Sequence, residues 1–512
     1  MIPASDKERT LASWHMNRAL REGVQASILP DGIELTDTQT GFAVELRSGD
    51  VPAMTSPGPD GDRLWSKLSL MGLAKPAADL KEVRRRQRGA LRRSEPPLLD
   101  RLRDLMARIR REIPFFCERA ASYDPRRLAS LEDFQGLPYL RKQDLRANFP
   151  NGLIPTSTDL RAGLDDGSLT ILATSGSTDE RLQIVTRSII DRLPFGSDDL
   201  FGVPIGGKQP RTAFFTTPVC ASMVCRRAAG TFEERRSSIS PDLYLRTTND
   251  PFAIETPILK SFCEDVERFQ PSILAADPLY LQCVVRAAKR DGIKLPTIPV
   301  IQRGFEFATR KAIADIREAF AAPVFNDYGA SEENRIAIEC HLGSLHVRAD
   351  VVYFEIIDQS GPCQPGIPGA VAITTFDTVT PLVRYLIGDV AAWTGRTCSC
   401  AFSDWPTIDY HGRSKDLVRS RGRWVTAAEI DDAVGTPDWL DFYRLSQTSS
   451  ASFEIEVVPA AGESPEVGEL STRLKHLIEP DKVRYRPVSR IDPLPSMKIG
   501  TVQTRLPTCE IP

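Results

Sequence analysis

Between Pro96 and about residue 412, short apolar strands alternate with helical segments, an order that restricts this part of the chain to an α/β architecture. Thr170-Ile171-Leu172-Ala173, Ala213-Phe214-Phe215-Thr216 and Ile273-Leu274-Ala275 read as strands, and residues 279–290 and 309–320 as helices. The region opens on a helix whose Leu98, Leu102, Leu105, Met106, Ile109 and Ile113 recur at three- and four-residue steps and so share one face. Beyond Asp416 the pattern changes. Residues 453–458 alternate as a strand, 470–477 are helical and 485–491 are extended, which predicts a compact α+β unit. Ahead of Pro96, residues 26–35 and 41–46 are short alternating runs of a small β meander. A helical stretch follows, ending in Arg84-Arg85-Arg86-Gln87-Arg88 and Arg92-Arg93. That basic run reads as a solvated face or linker, with a docking patch for an acidic partner as the alternative.

The expected fold class is α/β: a large domain with mixed sheets over 96–413 and a small C-terminal α+β domain over 416–512. An accessory segment of small β meander plus basic helix, 1–95, precedes them. A chain of 512 residues has ample apolar surface for several cores. Its 65 Lys and Arg balance 68 Asp and Glu, which argues against a nucleic-acid partner recognised through phosphate charge. No apolar run reaches the roughly 18 residues of a membrane span, and the first thirty residues mix charged with apolar positions. Neither a membrane partner nor a signal peptide is expected, and the expected location is cytoplasmic. In that reducing compartment ten cysteines are expected as thiols or metal ligands rather than disulfides.

Thr174-Ser175-Gly176-Ser177-Thr178 directly follows the strand at 170–173. In that position backbone amides and hydroxyls can form a nest around phosphates, and Gly176 lets the backbone come close. For such a stretch alone, a solvated Ser/Thr turn is the plain alternative. Three more segments follow in order: Asp327-Tyr328-Gly329-Ala330-Ser331-Glu332, Arg384-Tyr385-Leu386-Ile387-Gly388-Asp389 and Gly412-Arg413-Ser414-Lys415-Asp416. Cys340 and His346, with Cys398 and Cys400, supply three thiolates and one imidazole, enough for a closed tetrahedral zinc site. Four protein ligands leave no coordination position for catalysis, so such a metal is structural. Each cysteine alone also reads as a small buried hydrophobe.

Taken together with Glu339-Cys340, Leu345-His346-Val347 and Pro381-Leu382-Val383-Arg384-Tyr385, these segments resemble adenylate-forming enzymes, the superfamily of acyl-CoA synthetases, luciferases and peptide-synthetase adenylation domains. The nearest likeness is to the phenylacetate-CoA ligase branch, over roughly residues 96–505. The resemblance implies ATP-dependent, AMP-forming activation of a carboxylic acid and transfer to a thiol, with a mobile C-terminal domain turning about a hinge near Lys415. It implies that Thr174, Ser175, Gly176, Ser177 and Thr178 hold the β and γ phosphates. Tyr328 then packs beside the adenine, with Asp327, Gly329 and Ser331 in the same nucleotide-binding segment, and Glu332 holds Mg²⁺. Asp389 accepts the ribose hydroxyls, and Arg413 holds the ribose or phosphate side, an interdomain ion pair being the alternative. Lys498, in Pro495-Ser496-Met497-Lys498, steadies charge developing at the α-phosphate.

Three points depart from the branch pattern. Met497 stands where glycine is usual, a second register sets Gly500-Thr501 against the Gly-Lys pair and leaves no lysine there, and Asp179-Glu180-Arg181 replaces the usual Gly and Lys-Pro. Some members of the branch carry a Cys/His cluster at similar places. Gly422 and Trp424 fall on the loop implied to line a pantetheine channel, and residues 216–219 and 304–306 could line the acid pocket. The expected activity is that of an aryl or arylacetic acid-CoA ligase. The alternatives pass the activated acid to an amine or an acyl carrier protein, or leave an inactive nucleotide-binding homologue. The implied cofactors are ATP, Mg²⁺, coenzyme A and structural Zn²⁺; the partner is a small-molecule carboxylic acid, and a homodimer stays open.

Overall fold

The computed structural model describes residues 24–29, 32–37, 43–47, 97–173, 182–187, 201, 210–218, 230–236, 242–376, 378–479 and 482–506. The expected phosphate loop Thr174 to Thr178, the departure at Asp179-Glu180-Arg181 and the basic run at 84–93 lie outside the described residues. Among the described residues no helix is long and apolar enough to cross a membrane. The N-terminal runs form the expected meander, Val24–Leu29, Gly32–Asp37 and Ala43–Arg47, paired antiparallel in chain order.

The helix expected at Leu98 runs Leu98–Glu112 and buries Leu102, Leu105, Met106 and Ile109 on one face. Arg110 and Arg111 in its last turn complement the helix dipole, and Ile113, extended ahead of Pro114, ends it. The main sheet has twelve strands and changes character at its middle. One part is parallel: Asp242–Tyr244, Thr212–Phe215, Ile273–Ala276, Val300–Arg303 and Val324–Tyr328 lie side by side. Helices Thr256–Phe269, Pro278–Asp291 and Arg310–Phe320 are the crossovers that parallel pairing requires. Pro278–Asp291 shows how locally the sequence specifies them: Asp277 caps it, Pro278 takes the first helical position, and Gly292 ends it at φ 62°. From Val324–Tyr328 onward the pairing turns antiparallel, through Ala337–Glu339, Leu345–Val347, Thr407–Arg413, Tyr385–Trp393, Gly369–Thr375, Val352–Asp358 and Gly361–Pro362.

One strand falls elsewhere than the βα alternation suggests. Leu169–Ala173 pairs antiparallel with Gln183–Arg187 in a two-stranded sheet of its own. Residues 174–182 between them are too few for a crossover helix, so the second strand can only fold back.

Past Arg413 a hairpin, Val418–Ser420 with Arg423–Val425, is closed by Arg421 and Gly422 at φ 51° and 76°, both left-handed as a two-residue primed turn demands. A four-stranded sheet follows in the order Val483–Pro487, Ser452–Pro459, Leu440–Ser449, Val502–Thr504, with helices Ala427–Val434 and Val467–Leu474 on its core. This C-terminal unit docks on the crossover helices. Arg286 Nε meets Asp441 Oδ2 at 3.0 Å, Arg310 Nε donates to Asp432 Oδ1 at 2.7 Å, and Phe252 packs edge-on against Phe442 with centroids 4.9 Å apart. Gln282, buried on Pro278–Asp291, donates both to Asp315 Oδ2 and to the Asp441 carbonyl, each at 2.9 Å.

Candidate active site

In a parallel sheet with helical crossovers, the loops after the strands' C-terminal ends converge at one edge, and ligands bind there. That edge carries Thr216 and Thr217 after one strand, Asp277 after the next, Gly304 to Glu306 after the third and Gly329 to Glu332 after the fourth. The first antiparallel strands close over the same edge. The excursion from Tyr328 to Ala337 is pinned at its base by the pairs Asp327 with Ile338 and Tyr328 with Ala337. Gly329 is required there, because a Cβ would lie 1.6 Å from the Asn334 carbonyl oxygen.

Asp389 is the centre of this arrangement. It lies on Tyr385–Trp393, one residue past Gly388 at φ 87°, directly across from Arg413 on the neighbouring strand. Tyr328 Oη donates to its Oδ2 at 2.7 Å, and Arg413 Nε faces its Oδ1 at 3.0 Å. Oδ1 is buried yet receives no well-directed hydrogen bond among the described residues, so one acceptor remains for a ligand's hydroxyl. Asp389 is only 2 % exposed against 37 % for Arg413, so Arg413 stands on the accessible side. Its partner on the adjacent strand makes this an ion pair within the large sheet rather than between domains. The carboxylate raises the affinity of Arg413 for its proton, and burial together with Asp389 keeps the Tyr328 phenol neutral and donating. Tyr410 stacks tilted beside Tyr328, centroids 5.0 Å apart, its phenol held neutral by burial and by Asp389.

Glu332 is fixed by Tyr385 Oη, which donates to Oε1 at 2.9 Å. Lys142, on the helix Lys142–Asn148, lies within electrostatic reach of Glu332, Asp389 and Arg413; burial lowers its pKa and Glu332 opposes that. Asp327 accepts at Oδ2 from Gln302 at 2.5 Å and from Arg335 at 3.0 Å, which ties the site's strand to its neighbour.

Lys498 reaches the same edge from the C-terminal unit. Its ammonium donates to the Phe305 carbonyl. Burial and Arg413 lower its pKa, against the pull of Glu306 and Asp277. Of the two registers open for this loop, the structure brings Lys498 to the edge and buries Thr501 at 5 % exposure. Met497, where glycine is usual, has φ 62°, a left-handed backbone that costs an ordinary side chain about 1–2 kcal/mol. Met497→Gly is therefore expected to raise stability by about 0.5–1 kcal/mol, read as a higher midpoint in urea, because glycine's own entropy cost offsets part of the relief.

Cys340, His346, Cys398 and Cys400 meet at the far side of the antiparallel strands. The turn after Ala337–Glu339 presents Cys340, the strand Leu345–Val347 presents His346, and the loop between Trp393 and Thr407 presents the other two. Their ligand atoms all lie within 4.8 Å of one another. Tetrahedral zinc with bonds of about 2.3 Å to sulfur and 2.0 Å to nitrogen implies edges of about 3.8 and 3.5 Å. Cys340 Sγ to Cys398 Sγ is 3.7 Å and Cys400 Sγ to His346 Nε2 is 3.3 Å. His346 Nδ1 lies 3.1 Å from the Trp405 carbonyl, the second contact that orients a metal-ligating imidazole. The donor set fits zinc.

Sequence reasoning singled out Tyr328, Glu332, Asp389, Arg413 and Lys498, and the structure gathers them at one edge. It passed over Lys142, Tyr385, Tyr410 and Asp277, which hold or surround those groups. Arg384-Tyr385 contained one of them as a motif neighbour; the others carried no local signal.

No protein-family model matches this chain. It is 22% identical over 367 residues to a phenylacetate-coenzyme A ligase of Thermus thermophilus, covering 68% of this chain and 76% of that one. Protein CapK of Staphylococcus aureus is 30% identical over 179 residues, 34% of this chain and 39% of CapK. Among solved structures, a 2-hydroxyisobutyryl-CoA ligase bound to its adenylate in a postadenylation state superposes with a TM-score of 0.58 at 18% identity. The match covers 81% of this chain and 90% of that one, and shows a shared fold.

Proposed function

We infer that this chain, a member of the adenylate-forming superfamily and an ATP-dependent ligase, activates an aryl or arylacetic acid and hands the acyl group to coenzyme A. The acid class follows the Thermus thermophilus phenylacetate-coenzyme A ligase, and the carrying observation is the meeting of Asp389, Arg413, Glu332 and Lys498 at one strand-end edge. In this reading Asp389, aimed by Tyr328, accepts from the ribose. Arg413 sits between the sugar and the phosphates, and Thr174 to Thr178 would cradle the β and γ phosphates from the end of Leu169–Ala173. Glu332, with one oxygen fixed by Tyr385, would hold Mg²⁺ beside the phosphates, where one carboxylate suffices for that ion. Magnesium there neutralises phosphate charge.

The substrate carboxylate attacks the α-phosphorus and pyrophosphate leaves, giving acyl-AMP. The chain's part is placement and charge: Lys498 and Arg413 would face the negative charge gathering at the α-phosphate. For the second step the C-terminal unit, 416–512, turns about Lys415 and brings the Arg421-Gly422 hairpin with Trp424 toward the acyl-AMP. The four-ligand cluster would hold a structural zinc.

Acid-dependent exchange of pyrophosphate into ATP, with a panel of acids and with coenzyme A present or absent, tests this. Exchange with arylacetic acids plus thioester formation supports it. Product formation that ignores coenzyme A and follows an added amine or carrier protein overturns the acceptor, and absence of exchange with every acid overturns the reading. Asp389→Asn is expected to raise the ATP concentration for half-maximal exchange about 10- to 100-fold, the loss of a charge-assisted acceptor. The rate at saturating ATP should change far less.

A further inference from the structure

The Lys498 loop is held by contacts that the reaction as described does not use. Ala276 and Arg303 are register partners on adjacent parallel strands, so Asp277 and the turn at 304–306 emerge side by side. Gly304 N donates back to the Ala276 carbonyl at 3.3 Å, which ties the turn to the Asp277 strand. Glu306 N donates to the Gly304 carbonyl at 2.9 Å around Phe305 at φ 73°, the features of a classic γ-turn, a rare and strained form. This turn presents the Phe305 carbonyl to Lys498 and the Glu306 carboxylate to the loop's backbone. Glu306 Oε1 accepts from Ile499 N at 3.4 Å and Oε2 from Gly500 N at 3.0 Å. Tyr280 Oη donates to the Met497 carbonyl at 2.6 Å.

Behind Glu306 stands Asp277, with no exposed surface. Its Oδ1 caps the Pro278–Asp291 helix, accepting from Leu279 N at 3.1 Å and Tyr280 N at 3.2 Å. Its Oδ2 is buried and has no directed partner among the described residues. Burial and the neighbouring Glu306 push Asp277 far above the usual carboxylate range, with Lys498 opposing. Asp277 therefore stands close enough behind the seat to feel the charge of Glu306.

We propose that Glu306 is a positioning residue for adenylation: backed by Asp277, its carboxylate is the seat that receives the backbone of residues 499–500 and so fixes where Lys498 points. This rests on the reading of Lys498 above. A small shift of a placed cation has a large effect on rate, and the seat exists only while the C-terminal unit is docked in this pose.

The test uses the full chain. Glu306→Ala is expected to slow pyrophosphate exchange about 100-fold while thioester formation from supplied acyl-adenylate and coenzyme A stays within about twofold. Glu306→Gln keeps one acceptor oxygen for the backbone of 499–500, so its loss of pyrophosphate exchange should be smaller than that of Glu306→Ala. Amide hydrogen exchange provides a readout that needs no substrate: in Glu306→Ala, peptides spanning 494–501 should exchange on the order of tenfold faster, with the strand at 453–458 unchanged. Equal loss of both half-reactions, unimpaired pyrophosphate exchange, or unchanged protection of 494–501 overturns the seat. A wild type inactive toward every acid counts against the enzymatic reading, and the hydrogen-exchange comparison then decides the seat alone.

Discussion

Lys498→Ala is expected to slow acid-dependent pyrophosphate exchange about 10²- to 10³-fold, the usual cost of removing one preorganised charge stabiliser, about 2.7–4 kcal/mol of barrier. The ammonium is worth this much because it is held at the Phe305 carbonyl, half-buried and within electrostatic reach of Arg413, so its position is set before the reaction. Alanine would also remove the cation that opposes the rise in the Asp277 pKa. The second half-reaction supplies the control. In the proposed second step the turned C-terminal unit would carry Lys498 away from the acyl group, and thioester formation from supplied acyl-adenylate should stay within about threefold. Parallel loss of both steps, or a variant that exchanges pyrophosphate normally, would show that Lys498 does not act at the α-phosphate.

The largest effect on stability is expected from the Cys/His cluster. The purified chain should carry one zinc, seen as added mass in native mass spectrometry. Stripping it, or Cys400→Ser, is expected to cost on the order of 5 kcal/mol, about 5–10 °C in Tm for a unit of this size. The four residues come from two separate stretches, the hairpin at 337–347 and the loop between Trp393 and Thr407, so a bound metal would fasten one to the other. Without it, three thiols and an imidazole are left packed around Phe325, Phe402 and Ile338. A purified chain that carries no zinc, or a stripped chain that unfolds at the same temperature as the untreated one, would make the four residues ordinary packing.

Much of the fold was legible because the signals are local. The period of Leu102, Leu105, Met106 and Ile109 gives the first helix, and Asp277-Pro278 with Gly292 brackets another. The strand at 169–173 was legible as a strand but not in its partnership, since pairing depends on what the following residues can span. In the site, Asp389 and Arg413 were legible as motif members, whereas their pairing across two strands is a matter of register. Lys142 sits in Arg141-Lys142-Gln143-Asp144, a stretch that reads as a solvated helix face. Only the folding of that helix over Glu332 gives it meaning. Asp277 is hidden in another way: it does the ordinary work of a helix cap with one oxygen, and only the parallel register brings it beside the turn that carries Glu306.

The change from parallel to antiparallel pairing at Tyr328 has an evolutionary corollary. Asp389, Arg413, Tyr385 and Tyr410 belong to hairpin-linked strands, whereas Thr216, Asp277 and Phe305 cap strands joined by helices. Among the described residues, the backbone pairing of the two halves meets along Val324–Tyr328 and Ala337–Glu339. Drift in the crossover half can therefore remodel the cavity offered to a new acid while the contacts around Asp389 stay intact, so such a lineage could diversify in diet without relearning its fuel.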